Sequence, residues 1–354
     1  MLFLKIFDDK EQVYALEDEE YHSPIPERLR WSSWASNAEG MTGDELLEFI
    51  NNDLFKTLKN LSLAEGGDPR GFIVKNVFED GFNYMKSGTL IRQVINKINE
   101  IDFNKMGDRH LFNDLYEKIL KDLQSAGNAG EYYTPRAVTQ FIVDMNAPKL
   151  GEVVLDPACG TGGFLICALE HLHKQVKNVD DEALFQKSVY GIEKKPLPHL
   201  LSITNMILHG IELPNIKRDN SLSTPVQSLT HKDRVDVIVT NPPFGGVEED
   251  GIESNFPAAF RTKETADLFL VLLMKKLKDG GRCGIVLPDG TLFGEGVKTR
   301  IKEELLTQRN LHTIVRLPNG VFSKSGAIII TNDGLQHLEI LCKNALSRYE
   351  QVGI

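Results

Sequence analysis

The chain has 354 residues, of which 41% are hydrophobic and 25% charged, enough for two domains that each bury a core. Its net charge of −10 argues against an unaided grip on nucleic-acid phosphates, which calls for a basic stripe, so a partner would have to supply much of any such contact. No apolar run approaches the ~20 residues of a membrane span, and Met1 to Phe7 is too short for a signal peptide and runs into Asp8 and Asp9. Cys159, Cys167, Cys283 and Cys342 show no paired spacing, which predicts free thiols in a reducing cytoplasm and no disulfide or zinc framework. His171, His173 and His231 are read as surface or core residues, so no metal is expected.

Up to about residue 125 the pattern predicts helices and no strand. Leu46, Leu47, Ile50, Leu54, Leu58 and Leu61 recur at three- and four-residue spacings, predicting an amphipathic helix from Asp44 to Leu61. Ile91 to Ile101 and Leu111 to Leu123 read the same way. Gly66 to Pro69 and Met106 to Asp108 are turn clusters between them, and Glu17 to Glu20 is a solvated acidic run.

From about Gly130 strands and helices alternate, the rhythm of a parallel sheet covered on both faces. Strands are expected at Val153–Leu155, Val189–Ile192, Val235–Val239, Cys283–Leu287, Thr313–Leu317 and Ala327–Thr331. The clearest helix is Thr265 to Lys278, with Asp267 near its start and three lysines near its end, as the helix dipole favours. Asp279-Gly280-Gly281 reads as its stop signal.

Two strand ends carry the chemistry. The first strand runs into Asp156-Pro157-Ala158-Cys159-Gly160-Thr161-Gly162-Gly163-Phe164, a glycine-rich turn that lets a ligand approach the backbone. It is not a dinucleotide loop, since Leu165 occupies the third glycine position and the next strand-end acid, Glu193, follows Asp156 by 37 residues rather than ~20. A ligand with an amino-acid part and a ribose fits better: Asp156 for the ammonium group and Glu193 for the ribose hydroxyls. S-adenosylmethionine has both parts and a net positive charge.

Farther on, the strand Val235–Val239 ends in Asn241-Pro242-Pro243-Phe244. Two prolines forbid both helix and ladder and hold the backbone rigid. An amide oxygen, a proline carbonyl and a flat ring together suit a planar amino group such as that of adenine.

These two motifs, with Gly130-Glu131-Tyr132-Tyr133-Thr134-Pro135-Arg136 upstream, resemble the signatures of DNA adenine-N6 methyltransferases, and in particular the modification subunit of type I restriction-modification systems. The segments Gly281–Asp289 and Leu317–Phe322 also look like that family, and the resemblance covers roughly residues 70 to 322. It implies a Rossmann-like α/β S-adenosylmethionine-dependent methyltransferase sheet preceded by a smaller all-helical N-terminal domain. The corresponding division is 1–125 helical, 126–335 methyltransferase and 336–354 a divergent tail. It further implies that Glu131, Tyr132, Tyr133, Thr134, Pro135 and Arg136 line the cofactor pocket with Asp156, Gly160, Thr161, Gly162, Gly163 and Glu193, and that Asp219 sits beside the cofactor's adenine. Asn241, Pro242, Pro243 and Phe244 would be catalytic on a flipped-out adenine in DNA. Expected partners are DNA, reached mainly through a specificity subunit, and the specificity and restriction subunits of the complex. Both ends depart from the family pattern, which reads as a truncated product. A methyltransferase for RNA or a protein glutamine, or a non-catalytic partner-binding subunit, are the rival readings.

Overall fold

The computed structural model describes residues 1–62, 68–105, 134–244, 248–317, 326–331 and 339–341. The chain divides into two compact units, Met1–Leu123 with Ile203–Pro214, and Gln124–Ser202 with Asn215–Ile354.

The described residues of the first unit are helical, with no strand among them. Helix Leu2–Glu17 buries Phe3, Leu4, Ile6 and Phe7, and with them three acids. Each acid has partners that offset its desolvation: Asp8 accepts from Ser32 Oγ at 3.0 Å, Asp9 pairs with Lys5, and Glu11 accepts from Tyr21 Oη at 2.6 Å and Ser23 Oγ at 2.8 Å. The helix expected over Asp44–Leu61 is instead three pieces, α-helix Gly43–Glu48, a wider π turn Phe49–Leu54 and α-helix Phe55–Lys59. Its buried residues Leu46, Ile50, Leu54 and Leu58 are four apart, slightly more than the 3.6 residues of an α-helical turn. The π turn takes up that excess and keeps all four on one face. Helix Gly88–Asn99 carries a buried Arg92, whose guanidinium donates to the carbonyls of Met41 at 2.8 Å and of Ala35 and Asn37 at 3.1 Å. The helix expected at Leu111–Leu123 and the turn at Met106–Asp108 lie outside the described residues, as do Gly66 and Gly67.

The second unit is an α/β layer around one sheet. Its strands are β1 (Val154–Asp156), β2 (Val189–Glu193), β3 (Ile216–Arg218), β4 (Val235–Thr240), β5 (Leu277–Pro288), β6 (Leu311–Arg316), β7 (Gly326–Thr331) and β8 (Glu339–Leu341). They lie in the order β3-β2-β1-β4-β5-β7-β6-β8. The strands from β1 to β5 are parallel, whereas β7 runs antiparallel between β5 and β6. Leu155, Ile238, Phe256, Leu268, Leu272 and Leu287 sit in one core cluster. The parallel half is Rossmann-like, and its order reverses between β1 and β4, where a crevice opens at the carboxyl ends of the strands.

Helix Thr265–Lys276 ends two residues before the expected limit, and Asp279-Gly280-Gly281 is not its stop signal. Leu277 is already paired with Val235 in the sheet. The register then jumps, with Val237 opposite Arg282, so residues 278–281 form a bulge within β5. The strand is thereby six residues longer at its start than the apolar run Cys283–Leu287 indicated. No helix among the described residues is long and apolar enough to cross a membrane.

Candidate active site

The crevice at the switch point holds a cavity of about 300 Å³. Its floor is the loop after β1. Gly160 and Gly162 take φ of 54° and 88°, a left-handed conformation that glycine adopts without strain, and the turn delivers the chain into helix Gly163–His173. The loop is tied to its surroundings through the backbone: Cys159 N donates to Ile192 O at 3.0 Å, and Ser221 Oγ donates to Pro157 O at 2.5 Å.

Two carboxylates are sunk in this floor. Asp156 closes β1 and is 1% exposed; its Oδ1 accepts from Ala158 N at 3.0 Å and Thr240 Oγ1 at 2.7 Å. Burial pushes its carboxyl up to about 7, the negative charge of Glu193 adds to the rise, and the two hydrogen bonds oppose it. Glu193 closes β2, accepting from Gly160 N at 2.9 Å and Lys195 N at 2.6 Å. Burial raises its carboxyl as well, against those backbone donors. The neutral Cys159 thiol, pushed well up by burial and by both acids, adds no charge to the site.

The loop after β3 forms one wall. Asp219 N donates to Glu193 O at 3.1 Å, so the acid's position is set by the end of β2. Burial pulls the Asp219 carboxyl upward, but Lys217 at 2.6 Å and the Asn220 amide outweigh it and hold the group below its ordinary value. Next to it, Asn220 Nδ2 donates to Glu248 Oε2 at 3.2 Å, and Lys194 Nζ lies 3.4 Å from the same oxygen. Glu248 also accepts from Thr265 Oγ1 at 3.4 Å.

The opposite wall is the end of β4. Asn241 follows Thr240 directly, and its Nδ2 donates to Thr134 Oγ1 at 3.0 Å. Its Oδ1 is buried and has no hydrogen-bond partner among the described residues. Leaving a buried carbonyl oxygen unpaired costs about 1–3 kcal/mol, a cost that a hydrogen-bond donor reaching it from the cavity would relieve. Pro243 and Phe244 line the cavity, while Pro242 is buried outside the lining.

Of the expected site residues, the fold gathers Thr134, Asp156, Gly160, Thr161, Gly163, Glu193, Asp219, Asn241, Pro243 and Phe244 around one cavity. Pro135, Arg136 and Gly162 are not in its lining, and the Arg136 guanidinium pairs with Glu170 instead. Glu131, Tyr132 and Tyr133 lie outside the described residues. Sequence reasoning missed Thr240, Lys194, Asn220 and Glu248. Thr240, Lys194 and Asn220 had a signal, since each adjoins a residue already singled out; Glu248 had none. No group of three His, Cys, Asp or Glu placed to hold a metal ion occurs among the described residues.

Two family models match the chain, N-6 DNA Methylase over residues 107–350 and HsdM N-terminal domain over residues 1–98. The methylase subunit of the type I restriction enzyme EcoEI from Escherichia coli is 63% identical over 325 residues, which are 91% of this chain and 66% of that protein. The EcoKI methylase subunit from E. coli strain K12 is 30% identical over 342 residues, covering 92% of this chain and 60% of that one. Among solved structures, a modification subunit assigned to a type I restriction enzyme of Vibrio vulnificus YJ016 superposes with a TM-score of 0.85 at 42% identity, covering 99% of this chain and 82% of that chain. The chain thus spans about two thirds of the EcoEI subunit's length and less of the EcoKI subunit's.

Proposed function

The chain belongs to the N-6 DNA methylase family, and from that premise we propose that it methylates the N6 amino group of an adenine flipped out of DNA. In this reading it is the catalytic modification subunit of a type I restriction-modification complex and takes its methyl group from S-adenosylmethionine. The observation that carries the reading is the buried, unpaired Asn241 Oδ1 on the wall of the cavity.

The residues present suit that cofactor. Asp156 and Glu193 are acids at the ends of adjacent parallel strands, matched to an ammonium group and a ribose, and Asp219 lies beyond them for the adenine. When bound, the cofactor supplies an electrophilic methyl group on a sulfonium. Everything else falls to the protein. The N6 lone pair of adenine is delocalised into the ring and weakly nucleophilic. Asn241 Oδ1, with the Pro242 carbonyl as second acceptor, would accept hydrogen bonds from the two N6–H groups and draw that nitrogen towards a tetrahedral, more nucleophilic geometry. As the N–CH₃ bond forms and the S–CH₃ bond breaks, one N6 proton is released to solvent. Phe244 would stack on the extruded base and return roughly 1–3 kcal/mol of the cost of flipping. Positioning of the two reactants then supplies most of the acceleration.

The net charge of −10 supports a DNA contact shared with a specificity subunit, and a solved structure of type I complex assembly shares this fold at 36% identity and a TM-score of 0.83. The test is a methylation assay with and without the matching specificity subunit, reading N6-methyladenine in DNA by mass spectrometry. Methylation is expected only with both proteins present, and Asn241→Ala should abolish it while calorimetry shows nearly unchanged cofactor binding. Methyl groups recovered on RNA or on glutamine would redirect the reading to another substrate. No transfer to any of them would leave a cofactor- or partner-binding subunit.

A further inference from the structure

We propose that Thr134 is a positioning residue for Asn241, rather than only a wall of the cavity: its hydroxyl accepts from Asn241 Nδ2 and holds the side chain in the rotamer that leaves Oδ1 unpaired. The inference rests on the reading of Asn241 as the acceptor for a substrate amino group. An asparagine side chain is nearly symmetric in shape but not in chemistry, since one end accepts and the other donates. An amino group that is to be activated must meet the oxygen. A half-turn about the last side-chain bond would present an NH₂ group to an NH₂ group, which gains nothing.

Among the described residues the amide makes one side-chain contact, Asn241 Nδ2 to Thr134 Oγ1 at 3.0 Å. The hydroxyl takes up the donor end and leaves Oδ1 unpaired. Both partners are anchored independently. Thr134 precedes Pro135, which restricts it to extended backbone. Pro135 O in turn accepts from Val138 N at 2.9 Å and Thr139 N at 3.1 Å at the start of helix Arg136–Asn146. That helix is clamped to helix Gly163–His173 by the Arg136–Glu170 ion pair and by the Thr139 hydroxyl 3.0 Å from Cys167 Sγ. Asn241 is held between Pro242 and Thr240, whose hydroxyl is bound to Asp156. A contact between two such anchors sets a rotamer without needing ligand or substrate to do so, which is the preorganisation that transition-state stabilisation requires.

The experiment compares the wild-type chain with Thr134→Val and Thr134→Ser. The first measurement needs no substrate: in asparagine-labelled protein, exchange of the Asn241 side-chain amide protons with water is followed by NMR. We expect exchange at least roughly tenfold faster in Thr134→Val and near wild type in Thr134→Ser, because only the former removes the acceptor. The second measurement is turnover on DNA with the specificity subunit. Thr134→Val should lower kcat by roughly 10- to 100-fold, with cofactor affinity by calorimetry nearly unchanged and rescue by Thr134→Ser. Unchanged amide exchange in Thr134→Val overturns the proposal, as does a loss confined to cofactor affinity. Failure of the wild type to methylate DNA would instead overturn the functional reading, and the amide measurement would still judge Thr134.

Discussion

Thr240 Oγ1 donates to Asp156 Oδ1 across 2.7 Å, joining the tips of β4 and β1 through two side chains 84 positions apart in the chain. Asp156 belongs to the glycine loop, and Thr240 is the residue before Asn241. The same carboxylate therefore anchors the floor of the cavity and the strand end that carries Asn241, the proposed acceptor.

This pair makes the site sensitive to pH. Asp156 titrates at about 7 in the fold, against ~4 for an ordinary aspartate. Between those values the folded chain keeps a proton that the unfolded chain has released. The group's contribution to stability is therefore full at low pH and lost as pH rises through about 7. On the proposed pairing of Asp156 with the cofactor's ammonium group, binding calls for the ionised carboxylate, so affinity should climb over the same range, and the raised Glu193 acts in the same direction. Thr240→Val removes a donor that favours the ionised form and should move the climb to higher pH. Calorimetric titrations across that range check this, and an identical profile for both proteins would disprove it.

Phe244 lines the cavity beside Asn241 and is the proposed stacking surface for the base. Phe244→Ala should forfeit roughly 1–3 kcal/mol of stacking, read as a loss of about 5- to 150-fold in kcat/KM for duplex DNA. A target adenine opposite a mismatch unstacks more cheaply and should recover part of that loss. Equal losses on matched and mismatched duplexes would argue that Phe244 serves the cofactor side of the cavity.

Gly191 sits in β2 where three elements meet. A Cβ there would lie 2.7 Å from Ile216 Cδ1, 2.9 Å from Leu165 Cδ1 and 3.0 Å from Cys159 Sγ. All three neighbours are buried, so none can swing into solvent to make room. Gly191→Ala should cost about 1–3 kcal/mol of stability and, by displacing Cys159 in the glycine loop, weaken cofactor binding. Thermal denaturation with and without cofactor checks both effects, and a variant as stable as wild type would show that the loop has slack.

How far these relationships could be read in advance depends on how local they are. β1, β2 and β4 are buried on both faces, so their apolar runs stood out, and the acids and the Asn-Pro-Pro-Phe turn marked their ends. Three-residue strands such as β3, whose Lys217 and Arg218 are exposed, leave no such run. Asp279-Gly280-Gly281 misled because turn residues look alike whether they end a helix or bulge a strand, and only pairing with Val235 and Val237 decides between them. The antiparallel insertion of β7 between β5 and β6 is likewise a matter of tertiary pairing. At the site, acids at strand ends were legible by position, whereas the bonds from Asn241 to Thr134 and from Asn220 to Glu248 join residues 107 and 28 positions apart. Nothing in local composition announces such partners.

Helix Pro196–Leu208 begins in one unit and ends in the other, and the segment Ile203–Pro214 belongs with the amino-terminal helices. That segment supplies Met206, Leu208 and Ile211, each almost wholly buried. The helical unit is therefore discontinuous in sequence, completed by a piece encoded between Glu193 and Asp219, two acids that line the cavity. No single cut in the gene releases either unit whole. Exchanging the helical unit between relatives would demand three joints, at 123/124, 202/203 and 214/215, two of them inside the stretch between those two acids.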